Sequence, residues 1–129
     1  MRLLLDTHAF LWAVQEPAML SAKARDAVGD AGSQLFVSAV SGFEIANKWR
    51  LGKLPGYETV VETYTEIVER LGAEELPVTA RHTVFAGRFQ WQHRDPFDRL
   101  LAAQAACEGL TLVTVDTVFA ELPWVETLW

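Results

Sequence analysis

The sequence predicts an α/β protein, a parallel sheet covered by helices on both faces. Three observations carry this. The runs RLLLD, QLFVS and LTLVTVD are short and apolar at successive positions, as strands buried on both faces are. Helical patterns separate them, which gives the crossovers that parallel strands need. The chain has 129 residues, half of them apolar, which suits one domain around one core.

Taken in order, RLLLD (from Arg2) is a strand that ends on an acid. AFLWAV follows as a short helix stopped near Pro17. Ser21 is a suitable N-cap for AKARDAVGD, with Gly29 and Gly32 marking the exit. QLFVS is the second strand. A helix from Ala39 to Leu51 has Phe43, Ala46, Trp49 and Arg50 at helical spacing, and Gly52 can end it. From Tyr57 to Leu71, the residues Val60, Val61, Tyr64, Ile67, Val68 and Leu71 form one apolar stripe opposite the acids, the mark of a single amphipathic helix. EELPV is a weak strand. Thr79 caps a helix running to about Arg88. The segment HRDPFDRLLAAQA opens another helix, which Gly109 ends. LTLVTVD is a strand that again stops at an acid, and WVETLW supplies a final edge strand. No repeat, linker or low-complexity tract interrupts the series.

Composition narrows the function classes. The net charge of -6 disfavours general attraction to nucleic acid or anionic lipid, although a bound cation can invert an acidic cleft locally. No apolar run reaches membrane-span length, and MRLLLDTHAF does not read as a signal peptide. A single cysteine, Cys107, excludes an intramolecular disulfide and suits a reducing cytoplasm. Its Ala-rich surroundings predict a buried structural thiol. No Cys/His cluster has zinc spacing.

Ligands of parallel sheets bind beyond the carboxyl ends of the strands. Asp6 and Asp116 stand there, Glu44 lies early in the helix after QLFVS, and Asp98 lies in the first turn of the helix before LTLVTVD. Singly, each acid has a plain use as a strand terminator, an Asx turn or a first-turn helix acid. Together they would repel one another unless a hard cation neutralised them. Mg²⁺ prefers such oxygen ligands and supports phosphodiester hydrolysis. Pro96 suits the first helical position, so Asp95 is the structural cap and Asp98 is free to face a metal. Arg94 and Arg99 orient these acids, contact phosphate, or form solvated ion pairs.

LLLDTHAFLWAV, VSAVSGFEIANKWRLGKLP, HRDPFDRLLAAQA, GLTLVTVD and the closing Trp129 together resemble the PIN-domain ribonucleases of the VapC toxin type. The resemblance spans residues 1–129 as a single PIN domain. It implies a three-layer α/β/α sandwich on a parallel sheet of four to five strands. It implies a Mg²⁺-dependent endoribonuclease, with Mn²⁺ as a substitute, acting as the toxin of a type II toxin–antitoxin pair. The family's acidic quartet falls on Asp6, Glu44, Asp98 and Asp116. Asp6 and Asp98 are the principal metal ligands. Asp116 joins them, and with Glu44 it completes the site or positions water. Thr7, Ser41 and Thr114 are candidates to hold substrate or water, and Arg99 to contact it. The resemblance further implies a homodimer and an antitoxin whose C-terminal segment lies in an apolar groove and brings a basic side chain near the acids. Trp12 and Trp49 are candidates for that groove, for the dimer surface, or for the core. One departure stands out. Relatives often carry Ser-Leu-Trp-Glu where this chain has Ser41-Gly42-Phe43-Glu44, so Gly42 is expected to loosen the turn and leave a gap.

His8 reads as a helix-start or packing residue, and His82 and His93 have no metal spacing. Lys48, Arg50 and Lys53 suit either RNA contact or a cationic helix end. Two other functions stay open, a non-catalytic PIN-like binding module and a phospho-transfer domain. The second lacks its expected partner acid, because His8 stands two residues after Asp6.

Overall fold

The computed structural model describes all residues, Met1–Trp129. Its strands are β1 (Arg2–Leu5), β2 (Gln34–Ser38), β3 (Ala73–Leu76), β4 (Thr111–Val113) and β5 (Thr127–Leu128). They form one parallel sheet in the order β3-β2-β1-β4-β5. The helices are α1 (Thr7–Gln15), α2 (Ala22–Gly29), α3 (Ala39–Arg50), α4 (Glu58–Glu62), α5 (Tyr64–Arg70), α6 (Ala80–Arg88) and α7 (Pro96–Glu108). Two short 3₁₀ turns, Pro17–Met19 and Thr117–Glu121, complete the chain.

The central strand shows why the run is continuously apolar. Leu3 and Leu5 join one cluster with Phe10 of α1, Ile45 of α3, Val60 of α4 and Val68 of α5. Leu4 points the other way, into a cluster with Leu101 and Ala105 of α7, Phe119 and Leu122. Two faces are therefore buried under two helical layers, the predicted three-layer sandwich. Both weak strands are real, and they form the two edges. Leu3 sits opposite Leu35 of β2 and Thr111 of β4, a register that ends β1, β2 and β4 together on one rim.

Several local expectations need correction. The stripe from Tyr57 to Leu71 is two helices that break at Thr63, whose φ is -123° and ψ 36°. The Thr63 hydroxyl donates to the Thr59 carbonyl at 2.7 Å, and such back-bonding bends helices. Phe43 and Trp49 are exposed, and α3 buries Ser41, Glu44 and Ile45 instead. Cys107 is half-buried rather than enclosed. Gly42 leaves no gap: a Cβ there would lie 3.2 Å from Cε1 of Tyr64, whose ring fills the space. Gly109 ends α7 as expected, with a φ of 64° that favours glycine.

Candidate active site

The rim at the ends of β1 and β4 forms a cleft of about 420 Å³. Asp6, Glu44, Asp98 and Asp116 all line it, with Thr7, His8, Trp12, Lys48, Asp95, Leu101 and Val115. Four separate segments thus bring the four acids to one place.

Asp6 leaves β1 and caps α1, accepting the Ala9 N–H on Oδ1 at 2.7 Å. It is nearly buried. Burial raises its carboxyl above the ordinary value. The Thr114 hydroxyl, the Ala9 N–H and His8 oppose that shift, and the charge of Glu44 adds to it. Glu44 is buried on α3 and held at both ends: Thr7 donates to Oε1 at 2.6 Å, and Lys48 meets Oε2 at 2.6 Å. Asp116 follows β4 and caps the 3₁₀ turn through the Val118 N–H at 3.0 Å.

The opening of α7 divides its two acids. Asp95 is the N-cap, accepting from Phe97 N at 2.8 Å and Asp98 N at 3.3 Å. Asp98, one turn in, has its carboxyl raised by burial. The His93 hydrogen bond opposes this, and Asp95 and Asp116 reinforce it. His93 Nε2 lies 2.6 Å from Asp98 Oδ2. Asp95 nevertheless lines the cleft as well, so its capping role does not remove it from the acidic surface.

The expected substrate contacts resolve differently. Thr7 lines the cleft, but its hydroxyl is engaged with Glu44 and lies 3.1 Å from that of Ser41. Ser41 has no exposed surface and cannot touch substrate. Thr114 is also buried; it accepts the Asp116 N–H at 3.0 Å, and its hydroxyl is among the groups that favour the charged form of Asp6. Arg99 points away from the cleft. Its guanidinium donates to the carbonyls of Ala86, Phe89, Trp91 and His93, so it braces a loop and is not free for phosphate.

Trp12 forms a wall of the cleft, with its ring 5.5 Å from His8 and 5.7 Å from Trp129. Trp49 lies outside the cleft and donates to Glu58 at 3.4 Å. His82 is structural: it completes the Thr79 capping box and pairs with Glu108 at 2.8 Å. Sequence reasoning missed Lys48 and His93 as partners of the acids. The spacing of Lys48 four residues after Glu44 was a usable signal. For His93 there was none, because a loop sets its position.

No curated protein matches the chain. Among solved structures, it is similar to VapBC2 from Rickettsia felis bound to a promoter DNA fragment, at 18% identity and TM-score 0.73, over 99% of this chain and 98% of that one. DNA-bound VapBC from Salmonella typhimurium gives 16% identity and TM-score 0.70, over 99% and 97%. A toxin–antitoxin complex from Klebsiella pneumoniae gives 17% and 0.62, over 95% and 93%. At these identities the likeness establishes the fold. The PIN domain family model matches residues 3–125. With the sheet order and the acidic rim already in place, that match over nearly the whole length means that the chain belongs to the PIN domain family.

Proposed function

We propose that this protein is a metal-dependent endoribonuclease that acts as the toxin of a VapBC-like toxin–antitoxin pair. The observation that carries the reading is the convergence of Asp6, Glu44, Asp98 and Asp116 on one cleft. The donor set fits a hard cation. Asp6 and Asp98 are both raised by burial, so their charged forms are only partly compensated, and oxygen donors are what Mg²⁺ or Mn²⁺ take. Asp6, Asp98 and Asp116 would hold the ion. When bound, it would supply Lewis-acid stabilisation of a phosphoryl oxygen and a more acidic water.

The chain's own residues supply the rest. The Ala9 N–H orients Asp6, and Thr114 fixes the backbone at Asp116. Thr7 and Lys48 hold Glu44 from both sides, which suits it to accept a proton from, or orient, an attacking water rather than to swing into the metal. Lys48 also adds positive charge to a cleft with five carboxylates, where an RNA phosphate must come close.

The partner rests on the neighbours, since the R. felis and S. typhimurium proteins are VapBC assemblies and the K. pneumoniae one is a toxin–antitoxin complex. An acidic toxin suits an antitoxin with a basic segment that covers the acids. Trp12, on the cleft wall, is placed for that contact, and a homodimer in the cytoplasm is the assembly proposed. No helix is long and apolar enough to cross a membrane.

The test is RNA cleavage with Mg²⁺ or Mn²⁺ by the wild type, Asp6→Asn and Asp98→Asn. Only the wild type should cleave. It alone should also gain stability from the metal, about 2.7 kcal/mol at a hundredfold excess over Kd. Equal cleavage by all three proteins overturns the assignment, and absence of divalent binding favours a non-catalytic binding module.

A further inference from the structure

We propose that His93 is a positioning residue that fixes the Asp98 carboxylate for the cation. The inference rests on the reading of the cleft as a metal site and adds a residue to it.

An aspartate in the first turn of a helix has two side-chain torsions to settle. Asp98 also faces the like charges of Asp95 and Asp116, which push it away from any shared ligand. Its side chain takes part in one hydrogen bond, accepted on Oδ2 from His93 Nε2 at 2.6 Å. That bond anchors one oxygen and leaves the other without a hydrogen bond. Ligating carboxylates generally need such a partner to hold their orientation.

His93 is itself held firmly, which a casual surface ion pair does not require. Arg99, one residue past Asp98, donates to the His93 carbonyl at 3.1 Å, to Trp91 at 3.2 Å and to Phe89 at 2.6 Å. Its guanidinium also lies over the Phe89 ring at 4.3 Å. The Trp91 ring packs against the His93 ring at 4.8 Å and against Phe119 at 5.7 Å. The Trp91 N–H donates to Glu121 at 2.9 Å, at the end of the 3₁₀ turn that Asp116 caps. The loop from Phe89 to His93 therefore ties the Asp98 carboxylate to the segment that carries Asp116. Arg99 and Trp91 act on the site through His93.

His93, Asp95 and Asp98 offer atoms within 4.8 Å of one another, so direct ligation by the imidazole is the competing role. His93 Nε2 is already engaged with Asp98 Oδ2 at 2.6 Å, which favours positioning.

Mn²⁺ titration followed by electron paramagnetic resonance separates the roles. His93→Ala and His93→Asn should weaken Mn²⁺ binding about 10- to 100-fold. His93→Gln, whose longer amide can reach Asp98, should recover most of it. The pulsed spectrum of the wild type should show no nitrogen coupling to Mn²⁺. Melting of the metal-free variants within a degree or two of the wild type would show that the loop survives. Equal Mn²⁺ affinity in the wild type and all three variants overturns the proposal alone. Imidazole nitrogen coupling also overturns it, by making His93 a ligand. Failure of the wild type to bind Mn²⁺ overturns the metal reading itself, and the proposal with it.

Discussion

At the residue scale, Asp6 and Asp95 each hold two positions at once, helix cap and cleft wall. Each caps a helix, Asp6 through Ala9 and Asp95 through Phe97, and each lines the cleft. Asparagine caps as well as aspartate but carries no charge. Asp6→Asn should therefore fold normally and lose the metal-induced rise in melting temperature. Asp6→Ala should lose that rise and also about 1 kcal/mol of stability. Asp95→Ala should show the same stability cost while keeping metal binding. Chemical denaturation with and without Mn²⁺ checks all three, and an Asp95→Ala variant that binds no metal would show that its role is not confined to capping. The cap at Asp95 was legible because Pro96 fixes the first helical position. The cap at Asp6 was not, because the strand runs straight into α1 with no turn signal between them. Arg99 illustrates the opposite limit. Its charge next to an acid suggested phosphate, whereas four carbonyls claim it, one in α6 and three in the loop that follows, and only the fold brings those carbonyls near.

At the scale of elements, the acids were easier to place than the packing beneath them. Buried strands and caps leave local signatures, so α3 and α7 could be located before their neighbours were known. The partner of Gly42 could not be, because Tyr64 arrives from α5, beyond a loop and a broken helix. Its ring stands 3.2 to 3.3 Å from where a Cβ at Gly42 would be, and packs edge-on against Phe10 at 5.7 Å. The ring is therefore held on both sides. Leucine at position 42, common in relatives by resemblance, should overpack this contact and cost about 1–3 kcal/mol. The loss would outweigh the gain of up to about 1 kcal/mol from removing a helical glycine. Gly42→Leu combined with Tyr64→Ala should be less destabilised than the sum of the two single variants. Strict additivity in urea denaturation would mean that the two positions do not share this space. The break at Thr63 has a similar cause. The apolar stripe has one continuous period, but a hydroxyl that bonds the preceding turn interrupts the backbone, and periodicity does not register that.

At the scale of the whole molecule, the sheet order puts β1 at the centre with β4 beside it, so Asp6 and Asp116 leave the same rim. That convergence was legible as topology, because parallel strands share one carboxyl edge. The sequence conveyed that the acids of this rim repel one another, but not that burial is the larger cost. Burial raises Asp6 and Asp98 above the ordinary value of 3.8. A group raised in the folded state contributes stability that is complete below its unfolded pKa and is lost as pH rises through its folded pKa. Without metal, these two carboxylates therefore weaken the fold near neutrality and cease to do so in acid. The Asp6→Asn/Asp98→Asn variant removes both charges, so metal-free it should be more stable than the wild type at about pH 7. The difference should shrink as pH falls towards about 4. Mn²⁺ binds the charged forms, so a saturating concentration at neutral pH should reverse the order and place the wild type above the variant. Melting curves across this pH range, with and without Mn²⁺, measure both effects. A stability difference that stays constant with pH would show that the two acids are not the source of the cost, and that the charge on this rim is already balanced by Lys48 and His93.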